Sequence, residues 1–265
     1  MPEHARRAAR VAAVSARATS APLAVFVLHR YDWSESSLIV ELFARSQGRI
    51  AVVAKGAKRP TSQLRPVLRP FQRIQASLGR SPAGAELHNL RAAEWAGGLP
   101  AVSGEALFSG FYLNELLMKL LAREDPHPAL WDAYAATLPG LGGEGEAAAL
   151  RAFELRLLRE IGLLPDLSRV TSTQQPLQGE LRYVLQAERG LEHAAARDAT
   201  ALRANDLHAL HAALDANDLA ALQHACVGPA HALRQQLREL LAYHLGAVPL
   251  RTRQILRDLQ PLLSP

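Results

Sequence analysis

The residues best suited to do chemistry in this sequence are basic side chains that no acidic residue interrupts. Between positions 43 and 85 there are nine Lys or Arg residues and no Asp or Glu. A solvated surface normally mixes both signs, because like charges repel one another. A one-sided run is favoured where phosphates neutralise it, so we predict a surface that binds a nucleic-acid backbone. A basic surface that only aids solubility is the alternative. The nine residues are Arg45, Arg49, Lys55, Lys58, Arg59, Arg65, Arg69, Arg73 and Arg80.

Two aromatic residues, Tyr31 and Trp33, follow the first β-like run directly beside Arg30. Exposed aromatic rings next to a basic surface can stack on unpaired bases, which contributes about 1–3 kcal/mol per base. Packing on the rim of the fold is the alternative for both rings. We therefore add Arg30 and Trp33 to the candidate nucleic-acid contacts, and we expect Phe71 and Trp95 to lie in the core.

A helix predicted at 147–161 carries a second candidate site, made by Arg151, Leu155 and Arg159. Four apolar residues at helical spacing form its core-facing stripe, and Leu155 lies outside that stripe between the two arginines. An exposed apolar side chain between two guanidinium groups suits an acidic and apolar ligand, such as the carboxylate end of a peptide. A single exposed leucine is also common on protein surfaces and needs no ligand. The stripe consists of Leu150, Phe153, Leu157 and Ile161.

Sequence patterns typical of catalysis or metal binding are missing. The basic segment lacks the Gly-Lys-Ser/Thr of a P-loop, and the chain has no His-Glu-x-x-His motif and no nucleophile elbow. Because Cys226 is the only cysteine, neither an internal disulfide nor a four-cysteine zinc site can form. His208 and His211 are spaced like metal ligands but lack a third ligand. We therefore predict a binding protein and not an enzyme, with no cofactor and no metal site.

Charge is unevenly distributed along the chain of 265 residues. Residues 1–100 contain 15 Lys or Arg and 6 Asp or Glu, whereas residues 101–265 contain 15 and 19. This asymmetry favours a polyanion-binding module in the first part of the chain. The single cysteine fits a cytoplasmic protein, and no apolar run reaches the roughly 18 residues of a membrane helix. We interpret residues 1–22 as a basic disordered extension, with an organellar transit peptide as the alternative.

Short β-like runs fill the segment that we assign to the first domain, residues 23–98. A Gly-containing connection predicts a hairpin between the second and third runs. Pro66 and Pro70 push the fourth strand to an edge or delay its start. Five short strands can bury their apolar faces by closing into a small barrel. The five runs are 24–30, 37–43, 49–54, 67–78 and 85–94.

Helical periodicity follows in residues 99–265, which we assign to a mainly α-helical domain. Ser103 is its predicted first N-cap, and the pairs Asn205-Asp206 and Asn217-Asp218 are the predicted caps of two short later helices. A polar stretch at 166–192 interrupts the helices and contains one strand-like run. The fold class is therefore α+β, with a five-stranded barrel, a helical domain and a small β-like insert. The strand-like run is 181–185, and further helices are expected at 103–121, 128–138, 147–161, 230–245 and 251–263.

The segments VAKGA at 53–57 and LRPF at 68–71, together with several shorter motifs in the same order along the chain, resemble those of the bacterial RecO family of DNA repair proteins. The segment VAKGA, followed downstream by LRPF, is the most specific of these motifs. Together the motifs cover nearly the whole chain after residue 22. They are VL at 27–28, WSESS at 33–37, GRI at 48–50, VAKGA at 53–57, LRPF at 68–71, YLNELL at 112–117, LRAFEL at 150–155, HLG at 244–246 and PLRTR at 249–253.

The resemblance implies an N-terminal OB-fold, a helical domain and a recombination mediator rather than an enzyme. Such proteins bind single- and double-stranded DNA, anneal complementary strands, and act on DNA coated with single-stranded DNA-binding protein. With RecR they help to load RecA, which implies a cytoplasmic, nucleoid-associated location. The family also docks the acidic, hydrophobic C-terminal tail of the coating protein, and Arg151 and Leu155 match positions of that pocket. Many members carry a four-cysteine zinc module where this chain has residues 166–190 without cysteine, so this segment is expected to fold without zinc.

Two rival classes remain on the same barrel, an RNA-binding factor and a metal-dependent nuclease. A nuclease needs carboxylates clustered near the basic surface to hold its metal, and only Asp32, Glu35 and Glu41 are close in sequence. An RNA-specific protein should prefer RNA to DNA of equal length, through contacts to the 2′-hydroxyl groups.

Overall fold

The structure is a computed structural model that describes residues 21–80, 82, 84–98, 102–195, 197–246 and 250–263. The predicted basic extension falls outside the described residues, except for residues 21 and 22. A five-stranded closed barrel comes first, and a helical region with a three-stranded sheet follows. The α+β fold class is therefore confirmed, including its barrel.

The barrel closes in the strand order β1-β2-β3-β5-β4. Its antiparallel neighbours are joined by a parallel pairing of β3 with β5, which closes the sheet on itself and removes its edges. The fourth strand starts later than position 67, because Pro66 and Pro70 occupy a one-turn helix and the bend after it. The bounds are Leu23–Asp32 for β1, Leu38–Ala44 for β2, Gly48–Ala54 for β3, Leu64–Val67 for the short helix α1, Arg73–Leu78 for β4 and Leu87–Trp95 for β5.

Alternate residues of the strands point to two different cores, as the period of two in a strand requires. Val25 and Val27 fill the barrel interior together with Val40, Leu42 and Ile50. Phe26, Leu28 and Phe43 point outwards and belong to the core of the helical region. The barrel and the helices are therefore joined by a continuous apolar interface.

The helical region contains α2 at Ala106–Leu120, α3 at Pro128–Thr137 with a 3₁₀ turn at Leu138–Gly140, α4 at Glu146–Glu160, α5 at Ala204–Asp215, α6 at Leu219–Val227, α7 at Ala230–Leu245 and α8 at Arg251–Leu263. The predicted caps at Ser103 and at Asn205-Asp206 are wrong. Glu105 precedes α2 without a capping hydrogen bond, and Arg203 precedes α5. The predicted cap at Asn217-Asp218 is confirmed for Asp218, whose Oδ1 accepts the backbone N–H of Ala221 at 3.0 Å.

The insert between α4 and α5 forms a three-stranded sheet in the order β7-β6-β8. The predicted strand is β6 at Arg182–Gln186, while β7 at Gly190–His193 and β8 at Leu202–Arg203 are too short to give a periodic signal. Side chains tie this segment together: Tyr183 Oη accepts the Gln178 N–H at 2.7 Å, and Gln236 Oε1 accepts the Leu185 N–H at 2.8 Å. Within the described part of the chain, no group of three or more His, Cys, Asp or Glu residues is arranged to hold a metal ion.

Candidate nucleic-acid interface and arginine pocket

The end of β1 and the turn after β3 form a basic depression on the barrel. Its volume is about 350 Å³, and Arg30, Lys58 and Arg65 contribute its positive charge beside Asp32. Lys58 fixes the local geometry, because its Nζ donates to the Ser34 carbonyl at 3.1 Å and lies 3.2 Å from Asp32 Oδ2. The loop that follows β1 is thus attached to the basic turn that follows β3.

This attachment brings an aromatic residue to the same place. Trp33 directly follows β1 and is 60% exposed, and Tyr31 near the end of β1 is 46% exposed. The Lys58 N–H donates to the Ser36 carbonyl at 2.9 Å, so the loop bearing Trp33 lies directly beside the basic turn. The structure therefore brings the predicted residues Arg30, Trp33 and Lys58 together.

Other members of the basic run remain open to solvent around this depression. They are exposed, and within the described residues none of them forms an ion pair. Such cations can exchange water for phosphate without first breaking a salt bridge. These residues are Lys55, Arg59 and Arg69.

Three predicted contacts lie elsewhere and have partners in the helical region. Arg45 forms a two-point ion pair with Asp132 at 2.9 Å for both bonds, and the Arg73 guanidinium lies 5.5 Å from the centre of the Trp131 ring. Arg49 pairs with the buried Glu41 at 3.4 Å, and its Nε donates to the Leu121 carbonyl.

These three arginines occupy the opposite end of the barrel from Trp33. Arg73 is paired with Phe26, near the start of β1, whereas Trp33 follows the last residue of that strand. At about 3.3 Å per residue, the separation along the strand is roughly 20 Å. Arg45, Arg49 and Arg73 therefore join the barrel to the helices and do not line the basic depression.

The two aromatic residues expected in the core have different surroundings. Phe71 is buried against Phe111, with ring centres 5.0 Å apart, and its location in the core is confirmed. Trp95 is 66% exposed, so the expectation for this residue is wrong. It stands opposite Ile74 at the last position of β5, at the end of the barrel.

A second positively charged site lies between α2, α4, α7 and α8. This arginine pocket has a volume of about 570 Å³. Phe108, Tyr112 and Leu150 give it apolar surface, and among the described residues Glu146 and Glu154 are the acidic ones that line it. Against these two carboxylates stand five arginines, which leave an excess of three positive charges. The arginines are Arg151, Arg234, Arg238, Arg253 and Arg257.

A buried hydrogen-bond network holds one arginine at the floor of this pocket. Glu154 Oε1 accepts hydrogen bonds from Arg151 Nη2 and from the Tyr112 hydroxyl, both at 2.6 Å. Burial and the adjacent Glu154 charge raise the pKa of Tyr112 well above its usual value, so the phenol stays neutral and donates. The Arg253 guanidinium lies 5.5 Å from the centre of the Tyr112 ring. Arg151 and Arg253 are therefore oriented before any ligand arrives.

The other two predicted peptide contacts are not in this pocket. The expectation that Leu155 is exposed is wrong, because it is completely buried. Helix α4 is central and packs against α3, α6 and α7, so its second side is covered as well as its apolar stripe. Arg159 is exposed, but its Nη2 pairs with Asp215 of α5 at 2.6 Å and it does not line the pocket. Of the three residues only Arg151 does.

Sequence reasoning missed the arginines that α7 and α8 add to the pocket. Arg234 and Arg238, like Arg253 and Arg257, are four residues apart and therefore lie on one side of their helix. That spacing is a usable signal of a shared face. It does not reveal that the two helices meet α4 around one cavity, because this depends on tertiary packing.

None of the helices in the described ranges combines the length and the apolar content needed to cross a membrane.

Comparison with known proteins identifies the family of the chain. A family model described as "Recombination protein O N terminal" matches residues 23–99, and one described as "Recombination protein O C terminal" matches residues 102–254. The DNA repair protein RecO of Polaromonas sp. (strain JS666) is 52% identical over 241 residues, which cover 89% of this chain and 96% of that protein. The DNA repair proteins RecO of Polaromonas naphthalenivorans and Variovorax paradoxus are each 53% identical over 89% of this chain. The matches cover 96% and 95% of the length of those proteins, respectively. The chain therefore belongs to the recombination protein O (RecO) family of DNA repair proteins.

Proposed function

We propose that this protein anneals complementary DNA strands during recombinational repair, that it acts on DNA coated with single-stranded DNA-binding protein, and that with RecR it helps to load RecA. The observation that carries this proposal is the basic depression at one end of the barrel, with the exposed Trp33 beside Lys58. The names of its relatives support a role in DNA repair.

The electrostatics of the depression suit two strands at once. Each phosphate contact releases condensed counterions, which gives affinity that depends on salt but not on sequence. Arg30, Lys58 and Arg65 lie within one depression, and further exposed cations surround it. Two strands that approach to within the Debye length of about 8 Å repel each other less when such a surface neutralises them.

The aromatic residues favour unpaired bases as ligands. Trp33 is more than half exposed in the part of the chain that the structure describes. Stacking of a base on such a ring does not depend on base identity, because every base presents a π-face. A protein that pairs strands of any sequence needs this kind of contact.

For the arginine pocket we propose the C-terminal tail of the single-stranded DNA-binding protein as the ligand. Acidic groups of the tail pair with Arg234, Arg238 and Arg257 at the mouth, and its apolar end contacts Phe108 and Leu150. Arg151 binds the terminal carboxylate, because Glu154 already holds its guanidinium in place. This assignment replaces Leu155 and Arg159 by residues that a peptide can reach.

The rival functions have weaker support. The three carboxylates nearest the basic residues do not converge: Asp32 pairs with Lys58, while the buried Glu41 pairs with Arg49 and Arg123. A two-metal nuclease would need such carboxylates free and close together. An RNA-binding factor remains distinguishable by experiment, because it should bind RNA more tightly than DNA of the same sequence.

The test is the annealing of two complementary oligonucleotides, with one strand naked or coated with single-stranded DNA-binding protein, over a salt series. We expect acceleration that persists on the coated strand and decreases as salt rises. Acceleration of naked strands alone would remove the tail from the proposal. Absence of acceleration in all conditions would contradict the annealing function and direct attention to RNA as a ligand.

A further inference from the structure

The carboxylate of Glu115 in α2 caps the start of the last helix, α8. Glu115 Oε1 accepts the Arg251 N–H at 2.7 Å, and Glu115 Oε2 accepts the N–H and the hydroxyl of Thr252 at 3.0 and 2.8 Å. The first N–H groups of a helix have no partner within that helix, so the carboxylate satisfies the N–H groups of Arg251 and Thr252. Its negative charge also interacts favourably with the positive end of the helix dipole. Glu115 is 8% exposed and is not among the residues that line the arginine pocket.

Helix α8 forms one wall of the arginine pocket. Thr252, Arg253 and Arg257 line the cavity from this side, while the opposite side comes from α4 and α7. Two of the five pocket arginines therefore depend on the position of α8. A cavity that lacked this wall would lose part of its positive charge and would open to solvent.

Contacts with α2 locate the start of this wall. Helix α8 packs principally against α2, Leu250 is buried at its beginning, and the Arg253 side chain lies over the Tyr112 ring. Within the described residues, the polar part of this attachment consists of the three hydrogen bonds to Glu115 and a longer one, of 3.5 Å, from Arg253 Nη2 to the Tyr112 hydroxyl. Hydrogen bonds to a charged group are stronger than those between neutral groups, so the cap by Glu115 is the main polar contact that docks the helix.

We propose that Glu115 is a positioning residue for the arginine pocket, which it controls by docking α8 although it does not touch the ligand. The proposal rests on the proposed function of the pocket as a binding site for an acidic, apolar peptide. The affinity of such a peptide is its intrinsic affinity multiplied by the fraction of molecules with α8 docked. By linkage, a bound peptide must stabilise the docked helix to the same extent.

The experiment compares Glu115→Gln with Glu41→Gln, which removes another buried carboxylate, one whose ion pairs are with Arg49 and Arg123. Fluorescence anisotropy measures binding of a labelled C-terminal tail peptide of a bacterial single-stranded DNA-binding protein. We expect at least about tenfold weaker binding by Glu115→Gln, unchanged binding by Glu41→Gln, and an intermediate value for Glu115→Asp, which keeps the charge but not the reach.

Hydrogen exchange of the backbone amides in residues 250–258 measures the docking of α8 directly and does not depend on peptide binding. We expect exchange at least about tenfold faster in Glu115→Gln, and slower exchange in wild type when peptide is added. If wild type binds no peptide, the proposed ligand is wrong, while faster exchange in the variant still supports the docking role. Normal affinity together with normal exchange in a folded Glu115→Gln variant would overturn the proposal.

Discussion

Asn114 of α2 donates a hydrogen bond of 2.7 Å from its Nδ2 to the carbonyl oxygen of Leu28 in β1. Both groups are buried, and Leu28 lies at the register shift between Val27 and His29 where β1 departs from regular pairing with β2. The Tyr134 hydroxyl donates to Asn114 Oδ1 on the other side. Burial raises the pKa of Tyr134 well above its usual value, which keeps this hydroxyl protonated as a donor.

We expect Asn114→Ala to destabilise the protein as a whole. The substitution leaves the Leu28 carbonyl and the Tyr134 hydroxyl buried without partners, and each such group costs about 1–3 kcal/mol. Urea unfolding followed by circular dichroism measures the loss. The exposed Asn205→Ala is the control and should change stability by less than about 0.5 kcal/mol. Equal stability of the two variants would contradict this role of Asn114.

The double variant Lys58→Glu with Arg59→Glu should abolish strand annealing without changing the circular dichroism spectrum. The change reverses two charges beside the depression, so phosphates are repelled and counterion release is lost. Annealing is followed by fluorescence at several salt concentrations. Arg182→Glu with Arg189→Glu makes the same change of net charge on the exposed insert and should leave annealing intact. Normal annealing by a folded Lys58/Arg59 variant would remove this surface from the proposed function.

Trp33→Ala should weaken binding to single-stranded DNA and leave binding to a blunt duplex nearly unchanged. One lost stacking contact costs about 1–3 kcal/mol, whereas paired bases are not available for stacking. Equilibrium titrations with labelled oligonucleotides measure both affinities. Trp95→Ala is a matched control, because Trp95 is equally exposed at the other end of the barrel. A loss of affinity in the Trp95 variant, but not in the Trp33 variant, would show that bases bind at the end of the barrel near Trp95, which contradicts our proposal.

Arg238→Glu should reduce the affinity for the tail peptide at least tenfold, about 1.4 kcal/mol, because it replaces a pocket cation by an anion that repels the acidic tail. Arg159→Glu makes the same change of charge at an exposed arginine outside the pocket and should have no effect on peptide affinity. Fluorescence anisotropy distinguishes the two. Weaker binding by the Arg159 variant alone would restore the site deduced from sequence and exclude the arginine pocket.

The elements of this fold were largely predictable, and the exceptions have physical causes. The five barrel strands are visible in the sequence as short apolar runs bounded by turn residues, because both faces of several of these strands are buried. A strand as short as β8, with two residues, forms no such run. The predicted caps at Ser103 and at Asn205-Asp206 failed because residue type alone does not fix a helix start: α2 begins after Glu105 and α5 after Arg203.

The candidate sites were less predictable, because they depend on which side chains meet. The sign of the charge in the basic run was visible, but not that Arg45 and Arg73 have partners in the helical region. Leu155 was misjudged because a helical stripe shows which side of a helix is apolar, not how many neighbours the helix has. Arg151 and Arg253 are about 100 residues apart in sequence, so only the fold brings them into one pocket.

The contact of Phe26 with Trp131, with ring centres 4.9 Å apart, belongs to an apolar layer that continues from the barrel into the helices. This shared layer holds the basic depression and the arginine pocket at a fixed distance from each other. If the protein binds a coated strand and the C-terminal tail of the coating protein at the same time, the necessary conformational flexibility must therefore come from the DNA and from the coating protein.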